Sequence, residues 1–547
     1  MGVIRNLRGE NMFTLKEKSI KWALEHLKAF YDSDFFPRVF EFKVIAHHWN
    51  KIKNYILDIN LEKYTPNSPR IYLAPKETDK YRVVHQLEPI DSIIYTALVY
   101  DVAKKVEEYR IPTSEEIIFS YRINPSIKGS LFNNNNGWKR FKEKTEELAK
   151  KYEDGYVITA DITDFYNQIY LHRINNLICE AGDGGLDKHG KIIEKFLMGL
   201  NRKTSRGIPV GPAPSIVLSE LIMSDIDKKI LNYTRSFTRY VDDIRIFCNT
   251  KKEAIEMLHE LTKYIYSSHR LVFSSSKTKI LPVTVFLDKY YLNEEKKEKN
   301  IKKSISTKKA EEELDKILEE MKADSPYDFL NPIIIPNREE VLRKIKENHE
   351  FEIIKETYRE ILENLINEEN INYSFIRHIV RRAAKYRVRN VMDLILNNFS
   401  ILVPIIRECI VYLKAVINED VVKRKKEKFL RLWNIDYIDI PFVNHWLSFL
   451  FQGEEFNEIV KEEIFYDMIL EKRDKAMHAI QKKDTRWVRD FRNNVDLLGT
   501  WEKRGILYSS SILPYDEMKH WVKSVASAGD EIDEAIYAYL ENEYKTD

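Results

Sequence analysis

The strongest constraint in this chain is a pair of adjacent carboxylates between two runs of β-branched and aromatic residues. Residues 237–248 read Phe-Thr-Arg-Tyr-Val-Asp-Asp-Ile-Arg-Ile-Phe-Cys, with Asp242 and Asp243 at the centre. The two runs predict the strands of a tight hairpin whose turn carries the acids. Adjacent carboxylates repel each other unless a cation neutralises them, and hard divalent ions such as Mg²⁺ take oxygen ligands. A solvated turn also tolerates such a pair, so this segment alone leaves both interpretations open.

A second acidic strand end lies upstream. Residues 156–160 read Tyr-Val-Ile-Thr-Ala and predict a buried strand that ends at Asp161 and is followed by aromatic residues. If this strand and the hairpin are neighbours in one sheet, their carboxylates can surround a pair of metal ions. Two ions about 4 Å apart can activate an attacking hydroxyl and stabilise a pyrophosphate leaving group. The two segments together therefore predict a phosphoryl-transfer site.

The order Tyr240-Val241-Asp242-Asp243 with an upstream Asp161 resembles the palm signature of reverse transcriptases. The resemblance implies an α+β fold, the fingers and palm of a right-hand polymerase with a ferredoxin-like palm sheet. It also implies two Mg²⁺ ions as cofactors, or Mn²⁺ in their place, and dNTPs and nucleic acid as partners. The metal ligands that it implies are Asp161, Ile162 through its carbonyl, Asp242 and Asp243.

A second hairpin is predicted near the N-terminus. Residues 70–76 and 81–85 read as two strands joined by a short turn, and Lys76 and Arg82 flank that turn. Alone, such a hairpin could be a solvated sheet edge. The resemblance makes it the fingers hairpin, in which Arg gives bidentate contacts to a triphosphate and Lys a point charge.

Other nucleotide contacts follow from the same resemblance. Tyr166 lies at the position of the family's aromatic steric gate, a ring that crowds a 2′-hydroxyl and so favours deoxyribonucleotides. Phe165 beside it is expected to pack in the core. Lys277, in a strand that ends in Lys-Thr, is a candidate general acid toward pyrophosphate, or a phosphate contact. The catalytic set is then Asp161, Asp242, Asp243 and Lys277. The residues expected to bind the nucleotide are Lys76, Arg82, Ile162, Phe165, Tyr166, Arg206, Gly211 and Tyr240.

Two features depart from the usual family pattern. The loop at 205–215 resembles the template- and nucleotide-positioning loop, but Val210 stands where many retroviral and mobile-element enzymes carry Gln. Its Gly-Ile-Pro-Val-Gly-Pro sequence, with Ser219-Glu220 downstream, is closer to bacterial abortive-infection and defence-associated reverse transcriptases. The predicted strand at 283–288 lacks the Leu-Gly of a primer grip. Both departures bring conventional primer and template handling into question.

The C-terminal third has a different character. Beyond residue 335, amphipathic helical segments follow one another, which predicts an all-α, HEAT-like array. The basic residues at 377–389 could follow a phosphate backbone or form ion pairs on a solvated face. Residues 296–309 contain seven lysines and are most simply a solvated connector. The predicted domains are 1–150 for the N-terminal helices and fingers, 151–295 for the palm, 296–335 for the connector and 336–547 for the helical domain.

Net charge, cysteine content and hydropathy indicate which partners and which cellular compartment to expect. With 88 basic and 86 acidic residues, the formal net charge of +2 neither supports nor excludes nucleic acid, so any working surface must segregate its basic residues. Cys179, Cys248 and Cys409 lack metal-ligand spacing and are expected to be reduced thiols of a cytoplasmic protein. The apolar stretch 394–417 is interrupted by charged residues, which indicates buried helices and no membrane partner.

The resulting hypothesis is a reverse-transcriptase-like DNA polymerase that adds dNTPs by two-metal phosphoryl transfer. The resemblance further implies antiviral defence by abortive infection, synthesis without a template, priming from a hydroxyl of the protein itself, and a homo-oligomer. One alternative is a conventional RNA-templated reverse transcriptase of the retron or mobile-element type. Another is a catalytically inactive nucleic-acid-binding scaffold, against which the retention of all three aspartates counts.

Overall fold

The computed structural model describes residues 12–30, 35–77, 80–133, 137–289, 351–368, 371–461, 471–492 and 494–546. The lysine-rich segment at 296–309 and the charged connector predicted at 296–335 lie entirely outside these ranges. Within them, eight strands form two hairpins and one four-stranded sheet. The strands are β1 (Arg70–Glu77), β2 (Lys80–Gln86), β3 (Arg122–Ile123), β4 (Phe132–Asn133), β5 (Tyr156–Ala160), β6 (Phe237–Tyr240), β7 (Asp243–Cys248) and β8 (Lys279–Pro282).

The four-stranded sheet has the order β6-β7-β5-β8, and all of its neighbours are antiparallel. Helices separate β5 from β6 and β7 from β8, so the chain follows the β-α-β-β-α-β path of a ferredoxin-like unit. In the β5–β7 pair, Ala160 lies opposite Ile244. The end of β5 therefore lies beside the start of β7, which confirms that the two acidic strand ends are sheet neighbours.

Helices cover this sheet and build the region before it. Glu88 caps one of them, because its side chain accepts hydrogen bonds from the amides of Ile90 and Asp91, and Pro89 occupies the first turn. The helices up to the end of the palm are α1 (Glu17–Phe30), α2 (Glu41–His47), α3 (Trp49–Asp58), α4 (Pro89–Tyr109), α5 (Gly137–Lys151), α6 (Phe165–Gln168), α7 (Leu171–Ala181), α8 (Asp187–Leu200), α9 (Ala213–Leu231), α10 (Lys251–Tyr264) and α11 (Val283–Leu287).

The segment at 283–288 was expected to be a strand, and this expectation is wrong. It forms the short helix α11 directly after β8. Pro282 supplies the physical reason, since it has no amide to donate to a strand ladder and sits at the helix N-cap with φ −54°.

The C-terminal region is helical, as its periodicity predicted. Its helices are α12 (Phe351–Ile366), α13 (Tyr373–Lys385), α14 (Met392–Asn397), α15 (Phe399–Leu402), α16 (Ile406–Val416), α17 (Glu419–Arg424), α18 (Lys426–Leu430), α19 (Pro441–Phe451), α20 (Asn457–Val460), α21 (Lys472–Lys482), α22 (Thr485–Arg492), α23 (Thr500–Ser509), α24 (Tyr515–Ser527) and α25 (Glu531–Thr546). No helix among the described residues is long and apolar enough to cross a membrane.

The buried residues of the C-terminal helices divide between two cores. Those of α12–α20 form one cluster, which also takes in Tyr72, Ala74 and Val84 of the β1–β2 hairpin. Those of α21–α25 join the large core that contains the N-terminal helices and the inner face of the palm sheet. The last five helices therefore pack with the polymerase part of the chain.

The basic residues at 377–389 are engaged within the helical region. Arg377 and Arg381 converge on the carboxylate of Glu408, a residue that is buried on α16. Arg387 and Arg389 donate to backbone carbonyls at the end of that helix. These contacts favour the ion-pair interpretation of this basic segment.

Candidate active site

The β6–β7 hairpin turns tightly at Val241 and Asp242. Val241 has φ +54°, in the left-handed region that a β-branched residue rarely adopts. Such a conformation persists only where the surroundings enforce it, and it occurs often at functional sites. The Val241 side chain is buried in an aromatic cluster with Phe119, Phe141 and Tyr240. The strained turn is therefore part of a packed unit, and it carries the first of the two adjacent acids.

Asp161 and Asp242 face one another across the end of the sheet. Asp161 follows β5, and its backbone carbonyl accepts a hydrogen bond of 2.7 Å from the amide of Ser274. Its carboxylate lies 3.0 Å from the ammonium of Lys277. Burial, together with the negative charges of Asp161 and Asp243, raises the pKa of Asp242 to about 6. Asp242 is thus an acid whose charge is costly until a cation approaches.

Asp243, the first residue of β7, is held by a buried arginine. Arg245 donates a hydrogen bond of 3.0 Å to its carboxylate, and the two residues lie on the same face of the strand. The Arg245 guanidinium lies 4.3 Å from the ring centroid of Phe141. Arg245 was not among the predicted site residues. Its position two residues after Asp243 in a predicted strand places both on one face, and this spacing could have identified it.

A cavity of about 390 Å³ opens beside these acids. It brings together residues from the β1–β2 hairpin, the end of β5, the loop before α9, the acidic turn and the segment before β8. Its lining includes the predicted residues Lys76, Arg82, Asp161, Ile162, Phe165, Tyr166, Gly211, Asp242 and Lys277. Nine of the predicted residues, from separate segments of the chain, therefore meet at one cavity.

Three of the predicted residues lie outside this lining. Asp243 is turned toward Arg245, as described above. Arg206 is exposed, and its backbone pairs with that of Tyr170 in an isolated bridge. Tyr240 is buried, with its ring edge-on to Trp138 at 4.9 Å between centroids. The structure does not bring the Arg206 and Tyr240 side chains to the cavity, because one lies at the surface and the other packs under the turn.

The two aromatic residues on α6 have different surroundings. Phe165 is 4% exposed and belongs to the main core. Tyr166 lines the cavity, and its hydroxyl accepts a hydrogen bond of 3.2 Å from Ser219 on α9. Burial raises the pKa of Tyr166 above its usual range, so the phenol stays neutral. A fixed, neutral ring at the cavity wall is suited to a steric check on a sugar.

The β1–β2 hairpin supplies the positive side of the cavity. Burial lowers the pKa of Lys76, and the nearby charges of Arg82 and Lys277 lower it further. The hairpin is tied to the loop before α9, since His85 and Val210 exchange two hydrogen bonds of 3.0 and 3.1 Å. Three mutually repelling cations at one cavity suit a polyanion such as a triphosphate.

The acidic residues of the site fit divalent metal ions. Carboxylate oxygens are the ligands that Mg²⁺ prefers, and three of them lie at adjacent strand ends. Burial and the two neighbouring carboxylates raise the pKa of Asp242, which a bound cation would offset, and the Lys277 ammonium already lies 3.0 Å from the Asp161 carboxylate. Ile162 lies at the same cavity wall, where its carbonyl could add a neutral oxygen ligand.

The raised pKa of Asp242 predicts a pH-dependent response to Mg²⁺. Its pKa rises from the usual 3.8 to about 6 on folding, so its ionisation destabilises the metal-free protein as the pH rises through that value. Mg²⁺ binds the ionised form, so the increase in melting temperature on adding Mg²⁺ should be larger at about pH 7 than at about pH 5. Asp242→Asn should remove most of this difference, and an equal Mg²⁺ response at both pH values in the wild type would contradict it.

A ferredoxin-like palm with carboxylates at a hairpin turn, opposite a basic hairpin, is the arrangement of a nucleotide polymerase. Residues 74–323 match the family model described as reverse transcriptase (RNA-dependent DNA polymerase). The chain therefore contains a reverse transcriptase domain, and the protein is an enzyme of the RNA-directed DNA polymerase class, a nucleotidyltransferase. Enzymes with this domain generally use divalent metal ions and bind dNTPs and nucleic acid. The comparison with curated proteins gives no match.

Solved structures similar to this chain include two telomerases. One is apo telomerase from Candida tropicalis, with 10% identity and a TM-score of 0.33, where the match covers 73% of this chain and 73% of that chain. Another is telomerase from Candida albicans in complex with a fragment of telomeric RNA, with 10% identity and a TM-score of 0.30. That match covers 78% of this chain and 69% of the Candida albicans chain.

Proposed function

We propose that this protein is a cytoplasmic antiviral-defence polymerase that adds dNTPs to a hydroxyl of the protein itself without copying a template. The observation that carries the proposal is that the chain's own helices pack against one face of the fingers hairpin. Tyr72, Ala74 and Val84 of this hairpin belong to the core of α12–α20. Val210, which lines the nucleotide cavity, packs against the same core. The helical region thus lies beside the nucleotide cavity, and we infer that it limits the access of a template–primer duplex.

Two further features support untemplated synthesis. Val210 contacts His85 through backbone and ring atoms, so the position where many relatives carry Gln serves to join the loop to the fingers. After β8 the chain forms α11, which leaves no strand at 283–288 to act as a primer grip. The pairing of a polymerase part with a long helical part resembles abortive-infection enzymes, from which we also infer a HEAT-like array and a homo-oligomer.

The residues of the cavity account for the chemistry. Two Mg²⁺ ions would be held by Asp161, Asp242, Asp243 and the carbonyl of Ile162. When bound, such ions activate the attacking hydroxyl and offset the charge of the leaving pyrophosphate. Lys76 and Arg82 bind the triphosphate and orient its α-phosphorus toward the hydroxyl, so catalysis is largely positioning and charge stabilisation.

Lys277 and Tyr166 then act on opposite ends of the nucleotide. The Lys277 ammonium lies 3.0 Å from Asp161; with a metal ion held by Asp161, this ammonium would be available to donate a proton or a hydrogen bond to pyrophosphate. Tyr166, fixed by Ser219, limits the space at the sugar and favours a deoxyribonucleotide.

The test uses purified full-length protein, Mg²⁺ and labelled dNTPs, with no template and no primer. We expect long labelled DNA from the wild type and none from the Asp242→Ala/Asp243→Ala double variant. Protease treatment should change the mobility of the product, because the DNA is covalently attached to the protein. Incorporation that begins only after an RNA template and a primer are added would overturn the proposal.

One observation favours a second candidate, a conventional RNA-templated reverse transcriptase. On the β1–β2 hairpin, Ile71, Leu73 and Tyr81 are 55%, 54% and 48% exposed, and Tyr81 also lines the cavity. An aromatic side chain exposed beside a nucleotide site can stack on the bases of a template strand, and neighbouring apolar side chains can pack against them. In this case Leu73→Ala should weaken incorporation on an RNA template and primer and leave template-free incorporation unchanged.

Replacing Tyr166 tests whether its ring discriminates between dNTP and rNTP, independently of the template question. Tyr166→Val removes the ring and its hydroxyl contact with Ser219, so the space for a 2′-hydroxyl increases. We expect the preference for dNTP over the matching rNTP to fall by about tenfold or more, since one steric contact is worth roughly 1–3 kcal/mol. The ratio of kcat/KM for the two nucleotides measures this, with Tyr166→Phe as the matched control that keeps the ring. An unchanged ratio in Tyr166→Val would assign the ring to packing.

A further inference from the structure

Arg239, in the strand β6, is completely buried beneath the acidic turn. Its guanidinium makes two hydrogen bonds of 2.7 Å to Asp227 and two of 2.9 and 3.2 Å to Glu220, both on α9. Glu220 also accepts a hydrogen bond of 2.6 Å from Arg110, at the end of α4. Two arginines and two carboxylates thus balance in charge within the core.

One contact of Arg239 reaches the turn itself. Its Nη1 donates a hydrogen bond of 2.7 Å to the carbonyl of Val241, the residue with φ +54°. The peptide bond between Val241 and Asp242 is planar and trans, so its carbonyl and its amide point in opposite directions. Holding the carbonyl toward the core therefore directs the Asp242 amide away from it. The orientation of this peptide plane in turn fixes the point from which the Asp242 side chain projects.

Arg239 does not act on Asp242 through its charge. Asp161, Asp243 and Lys277 are the charged residues with the strongest effect on the pKa of Asp242. The Arg239 guanidinium is already paired with two carboxylates. The contact to the turn is therefore geometric. A planar guanidinium with five donors can serve two carboxylates and one carbonyl together, whereas a lysine ammonium has three donors and no fixed plane.

We propose that Arg239 is a positioning residue that sets the direction of the Asp242 carboxylate through the carbonyl of Val241. By this contact the buried network of α4, α9 and β6 governs how well the turn binds a divalent ion. The inference rests on the metal-binding role proposed for Asp242 and is independent of whether synthesis uses a template.

The test compares Arg239→Lys with Arg504→Lys in the full-length protein. Arg504 is a matched control, since it is equally buried and also pairs with carboxylates, those of Glu88 and Asp530, in a separate network. Mn²⁺ binding is measured by electron paramagnetic resonance without nucleotide, alongside kcat, the KM for dNTP and the melting temperature. Asp242→Asn is included to establish that the bound Mn²⁺ lies at the acidic turn.

We expect Arg239→Lys to weaken Mn²⁺ binding and lower kcat by about tenfold or more, as residues that orient metal ligands typically do. The KM for dNTP should change less than kcat, because Lys76 and Arg82 are untouched. Arg504→Lys should lower the melting temperature while Mn²⁺ affinity stays at the wild-type value. If Arg239→Lys does not fold, Asp227→Asn, which loosens the guanidinium while preserving shape, should show the same effects in weaker form.

Two results would overturn the inference. If Asp242→Asn weakens Mn²⁺ binding while folded Arg239→Lys and Asp227→Asn bind it like the wild type, the positioning role is wrong and the metal site stands. If Asp242→Asn itself leaves Mn²⁺ binding unchanged, the metal assignment fails and the inference fails with it.

Discussion

Asp242→Asn is expected to reduce nucleotide incorporation by about a thousand-fold or more, a loss of roughly 4 kcal/mol of transition-state stabilisation. The substitution keeps the size of the side chain and removes the charge that a metal ion needs. Asp242 is the acid of the turn that both lines the cavity and faces Asp161. The rate of dNTP incorporation under saturating Mg²⁺ measures the effect. The near-isosteric change should leave the metal-free protein folded, with a melting temperature at pH 7 at or above the wild-type value, because it removes a buried charge.

Asp164→Asn is the matched control for this prediction. Asp164 lies three residues after Asp161 at the same cavity, but its carboxylate accepts a hydrogen bond of 2.6 Å from the side chain of Asn167. It has φ +48° and occupies the turn before α6, so its role is local. We expect this variant to keep its activity within about tenfold of the wild type. Equal losses in Asp164→Asn and Asp242→Asn would contradict the assignment of the metal ligands.

Arg473→Ala is expected to lower the free energy of unfolding by about 3–5 kcal/mol, the usual cost of leaving one charge of a buried pair without its partner. Arg473 on α21 makes two hydrogen bonds of 2.7 and 2.6 Å to Glu41, the first residue of α2. Both side chains are buried, and the guanidinium lies 4.7 Å from the ring centroid of Phe40. The pair joins the last helices of the chain to its first ones. Urea unfolding followed by circular dichroism measures the loss.

Two controls separate this pair from a general effect of removing charge. Arg489→Ala removes an exposed arginine that pairs with Glu517 on the surface, and it should unfold like the wild type. The double variant Glu41→Leu/Arg473→Met replaces both charges by apolar groups and should recover much of the stability. An Arg473→Ala variant as stable as the wild type would show that the C-terminal helices do not depend on this contact.

The catalytic elements could be read from the sequence because each is local. Runs of β-branched and aromatic residues predicted β5 and the β6–β7 hairpin, and the acids at their ends predicted a shared site. A similar pattern located the β1–β2 hairpin, and helical periodicity located the C-terminal helices. These predictions hold because strand and helix periodicity depend on neighbouring residues, which the sequence displays directly.

What holds the site in place could not be read in this way. Arg239 contacts Ser120, which lies 119 residues away in the chain, and Arg70 contacts Glu471, which is 401 residues away. No periodic pattern relates such positions, and a buried arginine looks the same in sequence as an exposed one. The helix α11 was missed because its apolar residues fit a strand equally well until Pro282 ended the ladder.

The sequence by itself therefore determined the chemistry of this protein: which acids, which basic residues and which aromatic ring are available, and the class of reaction that they suit. Only the tertiary structure decided how these groups are held, and that the helices α12–α20 pack against the fingers hairpin while α21–α25 join the main core. The physical reason is that local conformation follows from neighbouring residues, whereas the pairing of distant charges and surfaces depends on the packing of the whole chain.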